Sequence, residues 1–456
     1  MTGIKFKISN LRFEIALCAA LAAGCATARA QTTRGRRPPP GNSKESTGRN
    51  GAARASEVDE LLARAVALLR AGRRDEAEPL VRRVLSADPR NASAHSLLGI
   101  ILDQRGLLRE AEAEYRATIA LSPKSAAAHS NLGALLARAG RYAEAVETLR
   151  AALANAPGHP QATYNLGVAL YHVGSYEEAA ALLQTPEAVS QDAPGAFYHL
   201  GLTASARGRA EEAAEFWQRA LALRENFPEV NFALAEELRK QRRYEGAAEF
   251  YSKAVAQDAS KPVYQVRLGG VLMLLNSYDR ALEVFRGAAA RFPESAEIRY
   301  FVGIAARGRG DYETAEAALR ESLRLKPDSV DALAQLGFVL GERGRDAEAE
   351  AALRRAVSLD ARHFYAAYDL GRLLVRGRRY DEALAVLAGA ARIREQDAGV
   401  HYQLFIAYTR AGRKSEAERE LRLFKRLDAE RKARRASGGE EQVEDTLPKA
   451  KEGEPE

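Results

Sequence analysis

The sequence predicts an all-α protein built from stacked helical hairpins, and three observations predict it. A 34-residue period runs from residue 58 to residue 431 without insertion or deletion. Inside each period, apolar residues recur at the spacing i, i+3, i+4, i+7, which places them on one face of a helix. The only two cysteines, Cys18 and Cys25, lie near the N-terminus, so the repeated body is held by packing alone.

Taken in order, the chain opens with Lys5, Lys7 and Arg12, followed by an uncharged, mostly apolar run from Ile15 to Ala28. The run ends in Ala28-Arg29-Ala30 before Gln31, which reads as a secretory signal peptide over 1–30, cleaved between Ala30 and Gln31. A second reading competes with it. Leu21-Ala22-Ala23-Gly24-Cys25 resembles a bacterial lipoprotein box, in which Cys25 is lipidated and the protein is held at a membrane. Retention of the uncleaved segment is a third way of attaching the chain to a membrane. All three predict export, to the periplasm or to the outer membrane and cell envelope.

Residues 31–57 are rich in Pro, Gly, Ser and Arg and lack apolar periodicity, which predicts a flexible linker. Residues 432–456 carry five basic and seven acidic side chains and predict a disordered tail. The formal charge of +7 invites a nucleic-acid partner, but its location argues otherwise. Residues 1–30 hold four basic and one acidic side chain and residues 31–57 hold six and two, which leaves +2 for residues 58–431. A nucleic-acid-binding surface is therefore not expected on the body.

Eleven repeats fill 58–431. With Val58 as position 1, position 20 is alanine in all of them, from Ala77 to Ala417. Position 8 is glycine in eight, with Ala65, Ala235 and Phe405 in the others, and position 7 is Leu in nine. The small residues at 8 and 20 predict a close crossing of two helices. Position 15 is also glycine in eight repeats, where the first helix ends and a positive φ is needed. Proline stands at position 32 in five repeats. In repeat 4, Pro186 falls inside the second helix and predicts an early end or a kink.

Leu at 7, Gly at 8, Ala at 20, the large residue at 24 (Tyr115, Trp217, Tyr251, Phe285) and Pro at 32 resemble the tetratricopeptide repeat. The resemblance covers 374 of the 456 residues. It implies a right-handed superhelical α-solenoid of antiparallel helix pairs, with first helices lining a concave groove that receives peptides or protein segments. In that arrangement positions 2, 5, 9, 12 and 13 face the groove. Position 5 gives Tyr164, Tyr198, Phe232, Tyr300, Tyr368 and Tyr402, an interrupted aromatic ladder; positions 9 and 12 add Tyr171, Arg239, Arg307, Phe338 and Arg372. Tyr and Arg are frequent interface anchors because they combine a large contact area with a polar tip.

No constellation for chemistry accompanies this face. The seven histidines scatter over different repeat positions, with no metal-ligand spacing among them. Phosphate-binding loops, nucleophile elbows and zincin motifs are lacking, and Arg309-Gly310-Asp311 falls in an ordinary inter-helix turn. The sequence therefore predicts a protein without metal, cofactor or catalytic residues: an exported, non-enzymatic scaffold that binds a protein or peptide partner. The competing reading is a lipid-anchored structural subunit of an envelope-assembly or secretion complex.

Overall fold

A computed structural model describes residues 45–436; the signal segment, Cys25, Ala30 and Gln31 lie outside the described residues. Among the described residues every regular element is helical. Each repeat forms two helices, as in repeat 2 (Ala92–Gln104 and Leu108–Leu121) and repeat 10 (Phe364–Arg376 and Tyr380–Ile393). The chain falls into two compact units, Met1–Glu225 and Asn226–Glu456, the boundary lying between repeats 5 and 6. The first unit has a core running from Ala65 and Leu69 to Ala179, and the second one from Ala235 to Ala407.

The ends of the helices follow the repeat positions. At position 34 a side chain accepts a hydrogen bond from the first turn of the next helix: Asn91 from the Ala94 amide, Ser125 from Ala128, His159 from Ala162, His363 from Ala366 and Asp397 from Val400. This N-cap satisfies a donor that the helix leaves unpaired. Position 15 is left-handed in all eleven repeats, and the three without glycine place Arg242, Asn276 and Arg378 there at φ 58°, 55° and 60°. Asp311 of the Arg309-Gly310-Asp311 turn caps the next helix by accepting from the Thr314 amide at 3.0 Å, which accounts for its presence.

Pro186 has the expected effect. The second helix of repeat 4 splits into Tyr176–Leu183 and Pro186–Gln191, with Thr185 accepting from the Ala188 amide at the restart. Both flanking segments are more helical than expected. The first described helix is Glu45–Arg70, so the linker assigned to 31–57 is already helical from Glu45. Ala52, Ala53 and Ala55 favour helix without an apolar face, and absent periodicity does not detect this. Likewise the last helix, Lys414–Ala436, runs five residues past the repeat end at 431 through Lys, Arg and Ala, into the segment predicted to be disordered.

The crossing of the paired helices differs in detail from the expectation. The nearest neighbour of the glycine at position 8 is the large side chain at position 24, not the alanine at 20. A Cβ on Gly201 would stand 2.3 Å from Trp217 Nε1, one on Gly133 2.4 Å from Leu149 Cγ, and one on Gly371 2.4 Å from Leu387 Cδ2. Glycine is thus the hole that seats the knob of its own repeat. The alanines at position 20 are buried, ten of the eleven completely, and supply backbone at the same crossing, as the Ala179 and Ala315 carbonyls beside Gly167 and Gly303 show.

Successive repeats are also joined by carboxylates at position 21, buried at Glu78 and Glu316 and half-buried at Glu112 and Glu350. Glu78 pairs with Arg82 and Arg105, Glu112 with Arg116 and Arg141, Glu316 with Arg320, Arg343 and Arg345, and Glu350 with Arg354 and Arg379. Burial disfavours the Glu112 charge, but hydrogen bonds from both arginines prevail and hold its pKa below the ordinary carboxylate value. Position 21 is apolar in six other repeats, as at Val146, Ala248, Leu282 and Leu384, and in the last repeat it is the exposed Glu418.

Two histidines at position 4 make a matching pair of bridges. His95 Nδ1 lies 2.6 Å from Glu114 and its Nε2 3.0 Å from the Pro89 carbonyl, while His401 is 2.7 Å from Glu420 and 3.0 Å from the Glu395 carbonyl. Burial opposes a charge on His95, yet its bonds to Glu114 and Pro89 outweigh burial and raise its pKa above the ordinary value. A raised folded pKa contributes stability that is fully present below about pH 6.5 and is lost as pH rises through the folded value. Amide exchange in the Asp88–Asn91 loop should therefore accelerate above neutrality beyond its intrinsic increase. In His95→Asn that extra acceleration should vanish, and an unchanged profile would rule out the bridge.

Candidate functional site

The first-helix side chains named above gather into separate clusters rather than one ladder. In the first unit, Tyr164, Tyr171 and Tyr198 surround His199, with ring centroids 6.1, 6.3 and 5.0 Å from its imidazole, and Tyr176 lies 5.9 Å from Tyr171. Beside them His172 stacks on Tyr142 at 4.0 Å. Burial, with a smaller contribution from His172, pushes His199 down to about 3, so its ring is neutral over the physiological range. Its Nδ1 is buried without a hydrogen bond. Burial likewise raises the Tyr164 and Tyr171 hydroxyls, Tyr164 the more strongly. Tyr198 is fixed from behind by Trp217, whose Nε1 donates to the Tyr198 carbonyl at 3.2 Å.

In the second unit Phe232 packs between Tyr251 and Tyr264, at 5.6 and 4.9 Å. Arg239 is drawn to Glu236 at 3.0 Å, and Glu236 also accepts from the Tyr251 hydroxyl and meets Arg267 at 3.2 Å, so Arg239 belongs to an internal network. Tyr300 departs from the expectation. It is only 7% exposed and is part of the core, packed on Phe301, which removes it from the binding face. Tyr368 stacks on Phe364 at 5.8 Å and remains partly accessible. Tyr402 is 42% exposed and leans on Phe424 of its own repeat at 5.1 Å.

Arg307, Phe338 and Arg372 come from three successive first helices and converge: the guanidinium of Arg307 lies 5.1 Å and that of Arg372 5.7 Å from the Phe338 ring centroid. Beside Phe338 opens a pocket of ≈ 250 Å³, whose lining includes Gly341, Asp369, Arg376 and Gln403. Asp369 and Gln403 occupy position 6, outside the positions that the sequence reading assigned to the face. The available signal was a polar residue directly before the core Leu at position 7, as in Asp369-Leu370 and Gln403-Leu404.

Among the described residues there is no group of three His, Cys, Asp or Glu side chains arranged to hold a metal ion, and no helix long and apolar enough to cross a membrane. What this face offers is aromatic area, guanidinium groups and one enclosed carboxyl, a composition suited to recognition.

Comparison with known proteins places the repeats. Family models described as tetratricopeptide repeats match residues 62–126, 104–160, 130–196 and 196–226. A model for the C-terminal domain of cilia and flagella-associated protein 70 matches 219–444. The chain belongs to the tetratricopeptide repeat family. No curated protein matches it. Among solved structures, the Cut9–Hcn1 assembly of the APC/C is similar over 88% of this chain and 98% of that one, at 13% identity and a TM-score of 0.43. The C-terminal part of a repeat protein from Cytophaga hutchinsonii covers 53% of this chain and 99% of its own, at 16% identity and a TM-score of 0.46. YrrB, described as a TPR protein with an unusual peptide-binding site, covers 41% and 97%, at 22% identity and a TM-score of 0.35. Tetratricopeptide proteins generally serve as non-enzymatic scaffolds, so the fold implies protein partners.

Proposed function

We propose that this protein is an exported, non-enzymatic scaffold whose first-helix face receives a segment of a partner protein. The supporting observation is the convergence of Arg307, Phe338 and Arg372 beside an open pocket, where large, partly accessible side chains are gathered by the repeat geometry instead of being buried by it. Export rests on the sequence of residues 1–30 and on its two processing readings.

A photocrosslinking amino acid placed at Tyr368 or Phe338 in the exporting cell tests the assignment. Crosslinks from these positions to one partner segment, mapped by mass spectrometry, are the expected result. Crosslinks that arise instead from second-helix positions such as Arg116 and Glu147 would transfer function to the outer face and favour a structural subunit. The mature N-terminus decides the attachment: a chain starting at Gln31 is released, whereas labelled lipid lost in Cys25→Ala marks an anchored one.

A further inference from the structure

The pocket beside Phe338 lies among the first helices of repeats 9, 10 and 11, Val330–Glu342, Phe364–Arg376 and Ala398–Arg410. Gly341 forms part of its wall, and a Cβ there would meet Arg376 Nη2 and Ala349 Cβ at 3.6 and 3.9 Å, ordinary contact distances. Two guanidinium groups line it, those of Arg372 and Arg376, and a third, that of Arg307, lies against the Phe338 ring at its edge. Arg372 is tied to Glu342 at 2.9 Å, and Arg376 to Asp346 at 2.5 Å and to the Gly341 carbonyl at 3.1 Å. Arg307 is held against Phe338, and among the described residues it has no ion-pair partner.

Asp369 lines the same pocket. Its side chain is 14% exposed, the nearest cation is Arg372 at 3.9 Å, and among the described residues its carboxyl makes no hydrogen bond. The charged groups around it are Arg372 on its own helix, Arg307 from repeat 8, Glu342 from repeat 9, and His363 in the preceding loop. Burial pushes Asp369 up to about 6, against the pull of Arg372, Arg307 and His363 and with a small push from Glu342. The pocket therefore combines guanidinium donors with a carboxylic acid that keeps or takes a proton under mildly acidic conditions.

Resting on the reading that this face receives a partner segment, we propose that the pocket seats an Asp or Glu side chain of that segment, its carboxylate accepting from Arg307, Arg372 and the protonated carboxyl of Asp369. A basic side chain does not fit this environment. Two guanidinium groups already lie over the Phe338 ring, and a third cation entering would face the unpaired charge of Arg307 there, since Arg372 and Arg376 are matched by Glu342 and Asp346. A carboxylate gains the Arg307 charge and a second donor from Arg372, and the repulsion from Asp369 is removed when Asp369 takes one proton from solvent and donates its O–H to the incoming oxygen. Seating is thus coupled to the uptake of one proton.

Phage-displayed random peptides selected on the immobilised full-length protein at about pH 5 supply the probe, and the selected sequences are then synthesised with a fluorophore for anisotropy titration. The expected peptides carry an Asp or Glu whose amide replacement weakens binding by about tenfold or more. Their affinity for the wild type should fall by up to about tenfold per pH unit above about 6, the slope of one linked proton. Asp369→Asn, which keeps the shape and donates from its amide, should bind with a flat pH profile, and Arg307→Gln should lose the preference for acid. Arg307 is only partly buried, so its replacement keeps the test intact if the Asp369 variant fails to fold. Selected peptides that lose binding in Phe338→Ala but do not require an acidic residue would overturn this proposal while sustaining the binding face. Selected peptides indifferent to every first-helix substitution would overturn both.

Discussion

Gly269→Ala destabilises the second unit by about 1 to 3 kcal/mol, the usual cost of forcing an extra methyl into a filled core. The methyl would stand 2.3, 2.5 and 2.7 Å from Cζ, Cε1 and Cε2 of Phe285. Phe285 is fully buried and stacked on Phe301 at 5.2 Å with 13° between the planes, so its ring has no free space into which to withdraw. Alanine regains up to about 1 kcal/mol of helix propensity over glycine, which reduces the loss without reversing it. Two repeats carry alanine at position 8: Ala65 stands with the smaller Val81 at position 24, and Ala235 with Tyr251, so a Cβ is accommodated where the partner is small or where the helices are set for it from the start. Hence Phe285→Val should cost stability by itself through its cavity, while in the double variant the Gly269→Ala penalty largely disappears. Because repeat arrays need not unfold as one body, the measurement is amide exchange within repeat 7 referenced to repeat 2. A Gly269→Ala protein more protected than wild type would show that the crossing has room.

Glu316→Gln is expected to weaken the joint between repeats 8 and 9 by about 3 kcal/mol, near the lower end of the range for breaking a buried charge cluster. The Glu316 side chain is 4% exposed and is shared by Arg320, Arg343 and Arg345, which retain 45%, 34% and 37% of their own exposure. Those arginines can turn partly to water when the carboxylate is lost, which keeps the penalty below that of a sealed cluster. Glu316→Leu should cost less than Glu316→Gln, because Leu282 and Leu384 fill the equivalent position in repeats 7 and 10 while being only 2% and 6% exposed. Denaturant unfolding and exchange across residues 312–345 should rank wild type above Leu and Leu above Gln. Raising salt should narrow that order, since the arginines are open to solvent. Equal stability of the Gln variant and wild type would mean that the repeats are held here by apolar packing alone.

Much of this architecture was legible in the sequence because it is local. A 34-residue period, a left-handed residue at 15 and a proline at 186 each act on the backbone within a few residues of themselves, and each appears where the pattern placed it. The left-handed turn even survives Arg242 and Arg378, whose type does not favour it, because the flanking helices impose it. The binding face was legible in outline only. Repeat position told which side of the first helix Tyr300 and Tyr368 occupy, but not how deeply their neighbours cover them, so one proved to be core and the other half-buried against it. Position 6 was passed over, although Asp369 there carries the most altered carboxyl of the pocket.

The sequence by itself determined the class of fold, the number and frame of the repeats, the turn at position 15 of each, and the absence from the repeats of any cysteine chemistry. Each of these depends on spacing along one chain segment. Only the tertiary structure decided which side chain fills the hole left by each glycine, where the chain divides into two units, and that Arg307, Phe338, Asp369 and Arg372 converge on one pocket. The physical reason is common to all three. These properties depend on packing between helices and between successive repeats, some 30 residues apart in the chain, and burial and charge are set by those neighbours rather than by the residues adjacent in sequence.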